Sequence, residues 1–237
     1  MNKKVFSAAI LASAAMTMTS CSSSKNTQNE NATKIEKITE AEAARPSADE
    51  DLDEGYLVLS EAQQNIVKKN NDFAFKLYQQ VSGMDSEVLS PMSIAYLMGM
   101  LANGADGNTQ EEILKAIGCE GVSVKELNDC YKALMLSAGK LDKQTTVNIA
   151  NFIAINKNFT LNSDFAHTVA DSYQAGVESM DFTSPKSATR INDWCKKQTK
   201  GMIPSIIDQV DPAAVSYLLN AIYFNGIWQE KFDAKNT

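Results

Sequence analysis

Apolar positions between residues 70 and 228 follow two periods, one helical and one extended. Spacings of three and four residues predict helices. These lie at 70–81, 92–102, 109–118, 124–138 and 161–176, and a sixth begins at Ser187 or Thr189 and ends at Gly201. The helix at 92–102 is apolar nearly all round, which is typical of a helix buried at the centre of a domain.

Three segments between these helices are predicted to be strands. Residues 145–156 and 215–228 are apolar on both faces, as strands covered on both sides are. Residues 177–182 alternate between apolar and polar side chains. Asn220 is the one polar side chain in the middle of the last strand. A buried amide without a hydrogen bond costs about 1–3 kcal/mol, so Asn220 is expected to have a defined polar partner.

The first 55 residues lack both periods and divide into two parts. Lys3 and Lys4 precede the apolar run 5–16, which is shorter than the roughly 20 residues that a permanent membrane helix needs. We therefore expect residues 1–20 to be an export signal that is removed. Residues 21–55 are polar and end in the acidic run 49–54, which predicts a flexible tether. We expect residues 56–237 to be the N-terminal part of a folded domain.

The junction of these two parts contains a candidate lipidation site. Met18-Thr19-Ser20-Cys21 resembles a loose bacterial lipobox, in which the cysteine is acylated and becomes the new N-terminus. Each buried methylene of a lipid adds about 0.8 kcal/mol of membrane affinity. We therefore expect an exported lipoprotein anchored in the cell envelope, either periplasmic or surface-exposed. The alternative is an ordinary secretory signal cut near Ser20, which leaves Cys21 as a free thiol.

Charge and cysteine usage exclude several classes of site. A formal net charge of −7 argues against nucleic acid as a partner. Once Cys21 is assigned to lipid, Cys119, Cys130 and Cys195 remain. Cys119 could pair with Cys130, although the spacing does not require a disulfide. No CxxC motif and no histidine at ligand spacing occur, so we predict neither a metal site nor a cofactor.

An enzyme is the main alternative to a binding protein. The only histidine, His167, lies two positions off the apolar stripe of its helix and is expected at the rim or in solvent. A Cys195–His167 dyad is conceivable because catalytic partners need not be adjacent in sequence. Nothing in the sequence places a third group that would orient the histidine. We therefore predict no catalytic residue and no enzymatic activity.

Four motifs occur in the order that is found in one protein family. They are residues 88–94 (VLSPMSI) with 104–113 (GADGNTQEEI), Ala150-Asn151 with Asp181-Phe182, residues 191–203 (INDWCKKQTKGMI), and residues 219–228 (LNAIYFNGIW). The last motif ends in Phe232 and Thr237, and the resemblance covers about Asn70 to Thr237. By these motifs the chain resembles the serpins, a family of protease-trapping inhibitors.

The resemblance implies an α+β, multi-domain serpin fold, in which helices pack on a large mixed sheet. It also implies that Ser90, Ser93 and Asn220 belong to the polar cluster, called the shutter, that governs opening of the sheet. Trp228 matches the aromatic residue at the point where loop insertion begins. We expect Asn220 to meet the hydroxyls of Ser90 and Ser93 beneath the sheet.

The family also implies an activity. A serpin traps a serine or cysteine protease when its cleaved reactive loop inserts into the main sheet. The remaining strands, the loop and the reactive bond are expected beyond Thr237, so the sheet within this chain is incomplete. We expect a monomer whose partners are a target protease and, through the lipid, a membrane. The alternative is a non-inhibitory, serpin-like surface binding module.

Overall fold

The computed structural model describes residues 7–14, 37–38, 57–81, 83, 88–140 and 145–228. Within these residues the helices are α1 (Glu61–Val81), α2 (Pro91–Asn103), α3 (Gly107–Ala116), α4 (Val124–Ala138), α5 (Ser163–Tyr173) and α6 (Pro185–Gln198). The strands are β1 (Ser7–Ala14), β2 (Lys37–Ile38), β3 (Thr146–Asn156), β4 (Ala175–Met180) and β5 (Ser216–Asn225).

The strands form one mixed sheet in the order β1-β5-β3-β4-β2. β3 is parallel to β4 and antiparallel to β5, and β1 and β2 each add an antiparallel strand at an edge. The α+β class, with helices packed on a mixed sheet, is thereby confirmed. The three inner strands are those that the apolar pattern predicts, and the edge strands are not.

Both edge strands come from the segment before residue 56. Ser7–Ala14 pairs with eight residues of β5, from Ala14 opposite Leu218 to Ser7 opposite Asn225. Lys37–Ile38 lies along β4, within the segment for which the sequence predicts a flexible tether. Edge strands present unpaired N–H and C=O groups, and added strands satisfy them. Removal of residues 1–20 stays a prediction.

The sheet has a hydrophobic core on each face, which confirms that β3 is covered on both sides. On one face Ile153 packs with residues of α1 to α5, among them Tyr131 and Tyr173. On the other face Phe152 packs with Trp194 of α6. Helix α2 lies at the centre of the first core and is largely buried, as its apolar composition predicts. None of the described helices is long and apolar enough to cross a membrane.

Several predicted helix starts are wrong because the helices are capped earlier in the chain. Helix α1 begins at Glu61 rather than at residue 70, since Ser60 and Gln63 exchange side chain to backbone hydrogen bonds that close its first turn. Helix α3 begins at Gly107, after the N-cap Asp106, rather than at 109. Helix α6 begins at Pro185, before both starts that the sequence predicts.

The junction between α5 and β4 is also shifted. Helix α5 ends at Tyr173 rather than at 176, because Gln174 adopts a left-handed conformation with φ of 49°. The chain then enters β4 at once, at Ala175. The strand therefore begins two residues before the predicted 177 and ends at Met180. In β5 the extended region stops at Asn225, short of the predicted residue 228.

Candidate functional site

Asn220 lies at the centre of the sheet and faces another asparagine. In the antiparallel register of β3 and β5, Asn151 is directly opposite Asn220. The Asn220 Nδ2 atom donates a hydrogen bond of 2.8 Å to Asn151 Oδ1. Asn151 in turn donates from Nδ2 to the backbone oxygen of Tyr173 at 2.7 Å. Both asparagine side chains are fully buried.

This bonding fixes the orientation of the Asn220 carboxamide. Because Asn151 Nδ2 donates one hydrogen to the backbone oxygen of Tyr173 and the other to Met135 Sδ at 3.7 Å, it offers only its oxygen to Asn220. Asn220 must therefore present its nitrogen to Asn151 and turn its oxygen elsewhere. The Asn220 Oδ1 atom is buried and accepts no hydrogen bond from any residue that the structure describes. The centre of the sheet thus contains a buried hydrogen-bond acceptor that lacks a donor among the described residues.

The two serines of the predicted shutter bond to each other. Ser90 caps the N-terminus of α2, and its Oγ accepts hydrogen bonds from the backbone nitrogen of Ser93 at 3.2 Å and from Ser93 Oγ at 2.9 Å. Both are buried, and α2 packs against β5. The expected hydrogen bond between these hydroxyls and the oxygen of Asn220 is not formed. The Asn220 amide bonds to Asn151 instead, because the strand register places the two side chains directly opposite each other.

A second group of polar side chains lies behind Asn151, among the helices. Tyr173 donates from its hydroxyl to Asn128 Oδ1 at 2.7 Å, and Asn128 donates from Nδ2 to Asn103 Oδ1 at 2.8 Å. Asn103 donates to the backbone oxygen of Gly99 at 2.8 Å. Burial is the main cause that raises the pKa of Tyr173, so its hydroxyl stays a donor. These contacts join α2, α4 and α5 to the sheet.

Gly99 is needed for this arrangement. A Cβ atom at Gly99 would lie 2.6 Å from the Tyr173 hydroxyl oxygen and 3.0 Å from the Tyr131 ring. The missing side chain thus allows α2 to approach the two tyrosines. The sequence analysis predicts neither the contact of Gly99 with Tyr173 nor the hydrogen bond between Asn151 and Asn220. In the sequence, Asn151 stands out only as part of the Ala150-Asn151 motif.

Helix α6 is held on the sheet by an ion pair. The Arg190 guanidinium donates to Glu178 of β4 from Nη2 to Oε2 at 2.8 Å and from Nε to Oε1 at 3.3 Å. Arg190 also lies over the Phe152 ring, 5.2 Å from its centroid. Lys37 of β2 approaches the same carboxylate at 3.7 Å. The geometry is that of a forked, charge-assisted pair, which is stronger than a neutral hydrogen bond.

Of the other predicted residues, the structure describes Trp228 and His167. Trp228 follows the end of β5 and is 56% exposed, and the role that the resemblance gives it stays a prediction. Cys21 lies outside the described residues. His167 is exposed, as expected.

The cysteines are free and buried. Cys119, Cys130 and Cys195 form no disulfide, so the suggested pairing of Cys119 with Cys130 is not present. Burial raises the pKa of the Cys195 thiol to about 11. A thiol that resists ionisation is a poor nucleophile, and Cys195 therefore does not suit the catalytic dyad considered above. Across the described ranges, no cluster of three or more His, Cys, Asp or Glu residues could hold a metal ion.

The comparisons with known proteins agree with the architecture of the sheet and its helices. Residues 68–237 match the family model described as serpin (serine protease inhibitor), so the chain belongs to the serpin family. Serpins are mostly protease inhibitors rather than enzymes.

Relatives of known name support the same family. The chain is 32% identical over 173 residues to alpha-1-antiproteinase of Rattus norvegicus, covering 70% of this chain and 42% of that protein. It is 32% identical over 168 residues to serine protease inhibitor 42Dd of Drosophila melanogaster, covering 68% of this chain and 45% of that protein. The chain thus spans less than half the length of these relatives.

Solved serpin structures resemble this chain, with sequence identities similar to those of the relatives above. The thermophilic serpin tengpin in its latent state matches with a TM-score of 0.69 and 29% identity, over 75% of this chain and 48% of that chain. Tengpin in its native state matches with a TM-score of 0.67 and 29% identity, over 75% of this chain and 45% of that chain.

Proposed function

We propose that the protein inhibits a protease by the serpin mechanism. A reactive loop beyond Thr237 would be cleaved by the protease and would insert as a strand along β5, dragging the acylated protease with it. The target would be an extracellular serine or cysteine protease. Relatives that are named serine protease inhibitors support this proposal.

The observation that carries the proposal is the outer edge of β5. That edge pairs antiparallel with eight residues rich in alanine and serine, so its backbone groups are suited to an added strand of small residues. In the centre of β5, Asn220 Oδ1 is a buried acceptor with no partner in the part of the chain that the structure describes. A donor from an added strand would satisfy it and would remove a cost of about 1–3 kcal/mol.

The proposal also includes export and a lipid anchor. Cleavage after Ser20 would free the outer edge of β5 from residues 7–14, and acylated Cys21 would hold the protein at the cell envelope. Detergent phase partitioning of the protein and of Cys21→Ser tests the anchor. The wild-type protein should enter the detergent phase and the variant should stay in the aqueous phase. If both stay in the aqueous phase, an ordinary secretory signal is the better explanation.

Incubation of the full-length protein with a panel of serine and cysteine proteases tests the inhibitory activity. We expect at least one protease to form a covalent complex that survives SDS, at the summed mass of protease and inhibitor. The control is the same protease after its nucleophile is blocked, which should form no complex. Cleavage without trapping by every protease would overturn the proposal and favour a non-inhibitory binding module.

A further inference from the structure

A cleft with a lysine rim lies between α1 and α3, away from the asparagine pair. Its volume is about 450 Å³, within the range of roughly 300–1,000 Å³ that is common for small-molecule sites. The apolar residues of its lining, called the floor below, are Phe73 and Leu77 of α1 and Ala116 of α3. Phe73 also packs against the main core cluster, so the floor is anchored.

The close approach of α3 to α1 shapes one wall of this cleft. Gly118 follows α3 with φ of 77°, in the left-handed region. A Cβ atom there would lie 3.1 Å from the backbone oxygen of Lys69 and 3.7 Å from Phe73 Cβ. A glycine therefore lets the end of α3 meet α1 with little space between them. This wall of the cleft is therefore formed in part by the backbone of Gly118 and Lys69.

The rim is positively charged although the chain is acidic. Lys69, Lys76 and Lys115 line the cleft, in a chain whose formal net charge is −7. Asp72 is the one acid among the described lining residues. The three ammonium groups thus exceed the acids of the lining by two, which favours an anionic occupant.

The lysines are only weakly neutralised by their neighbours. Lys69 Nζ donates to the backbone oxygen of Glu120 at 3.2 Å, which holds its ammonium group near the end of α3. Lys115 lies 3.8 Å from the Glu120 carboxylate, and both side chains are about 70% exposed, so this pair is weak. Lys76 is exposed and can turn toward an anion in the cleft.

We propose that this cleft binds a small amphiphilic anion, with its apolar body on the floor and its acidic group between the lysines. The apolar floor alone would accept a neutral molecule, and the lysines alone would accept a free phosphate. Only the combination of floor and rim favours an anion with an apolar part. The proposal does not depend on protease inhibition, because the cleft shares no residue with the asparagine pair.

Calorimetric titration of the full-length protein with decanoate tests the proposal. Decanol has the same chain without the charge, and inorganic phosphate has charge without the chain. We expect decanoate to bind at least about tenfold more tightly than either, which is about 1.4 kcal/mol, because decanol lacks the charge-assisted contact and phosphate lacks the apolar contact. Equal binding of decanol, or tighter binding of phosphate, would overturn the amphiphilic assignment.

Variants place the binding in the cleft. Lys76→Gln should weaken decanoate binding at least about fivefold, and Ala116→Leu should weaken it by filling the floor. The matched control is Lys196→Gln, an exposed lysine on α6 at the opposite face of the sheet, which should bind as the wild type does. Lys76→Arg should keep most of the affinity. Loss of binding in the control, or unchanged binding in both cleft variants, would contradict the proposal.

Discussion

Asn220 of β5 donates a hydrogen bond of 2.8 Å from Nδ2 to Oδ1 of Asn151, directly opposite on β3. Because Asn151 Nδ2 donates to both the backbone oxygen of Tyr173 and Met135 Sδ, the direction of this bond is fixed. The result is a buried acceptor on Asn220 that Asn151 cannot satisfy. Under the proposed inhibitory mechanism, this acceptor would favour insertion of a strand that brings a hydrogen-bond donor.

Removal of the Asn151 side chain should destabilise the sheet. In Asn151→Ala the whole amide of Asn220 is left buried without a partner, which costs about 1–3 kcal/mol. Urea unfolding of the full-length protein measures the change. Asn108→Ala, an exposed position on α3, is the control and should change stability by less than about 0.5 kcal/mol. Equal stability of Asn151→Ala and the control would show that the pair contributes little.

Gly99→Ala should be severely destabilising because its Cβ would meet the Tyr173 hydroxyl at 2.6 Å. Overpacking of this kind costs about 1–3 kcal/mol. Tyr173→Phe removes the clashing oxygen, so the double variant should lose less stability than the two single losses added together. Thermal or urea unfolding of all four proteins gives the coupling. Strict additivity would mean that the hydroxyl is not what Gly99 accommodates.

Arg190→Lys should loosen α6 while keeping the charge. Lysine cannot form the two-bonded contact with Glu178 or lie flat over Phe152 as Arg190 does. Hydrogen exchange of α6 amides should therefore become faster, with a stability loss of about 1 kcal/mol. Lys132→Gln, which breaks the exposed pair with Asp171, serves as the control and should leave α6 unchanged. Unaltered exchange in Arg190→Lys would assign the anchoring of α6 to its apolar contacts alone.

Asp181 gives a prediction for acid pH. A hydrogen bond from Lys157, and then those from Thr183, lower the pKa of Asp181 to about 2 from the ordinary 3.8. Because the folded value is the lower one, the contribution of this carboxylate to stability is present above about pH 4 and is lost as the pH falls toward 2. An NMR titration of the Asp181 carboxyl should have its midpoint near 2, and Lys157→Met should raise it. A midpoint at the ordinary value in the wild-type protein would contradict the contact.

The elements that the sequence predicts well are those with a strong apolar period. Strand β3 and helix α4 agree with the predicted ranges within one residue, because their apolar residues report directly on burial. The start of α1 was missed, since residues 61–69 are polar apart from Ala62, Ile66 and Val67 and are kept helical by the Ser60–Gln63 cap. The period of apolar residues therefore does not reveal the first nine residues of this helix.

The candidate site was predicted only in part for a different reason. The sequence singles out Asn220 as a polar residue in an apolar strand, but its partner depends on strand register, which local pattern does not determine. By the family resemblance, the sequence predicts Ser90 and Ser93 as its neighbours. The contacts among Tyr173, Asn128 and Asn103 depend on the packing of three helices, and the lysine-rimmed cleft depends on the packing of α1 against α3. These relationships arise only when the chain has folded.

The central claim is that the sheet accepts the cleaved loop as a strand along β5. The most direct test is thermal unfolding of the full-length protein before and after limited cleavage within its reactive loop. Insertion adds backbone hydrogen bonds and a donor for Asn220, so the cleaved protein should unfold at a clearly higher temperature. An unchanged or lower unfolding temperature after cleavage would contradict insertion and, with it, the inhibitory mechanism.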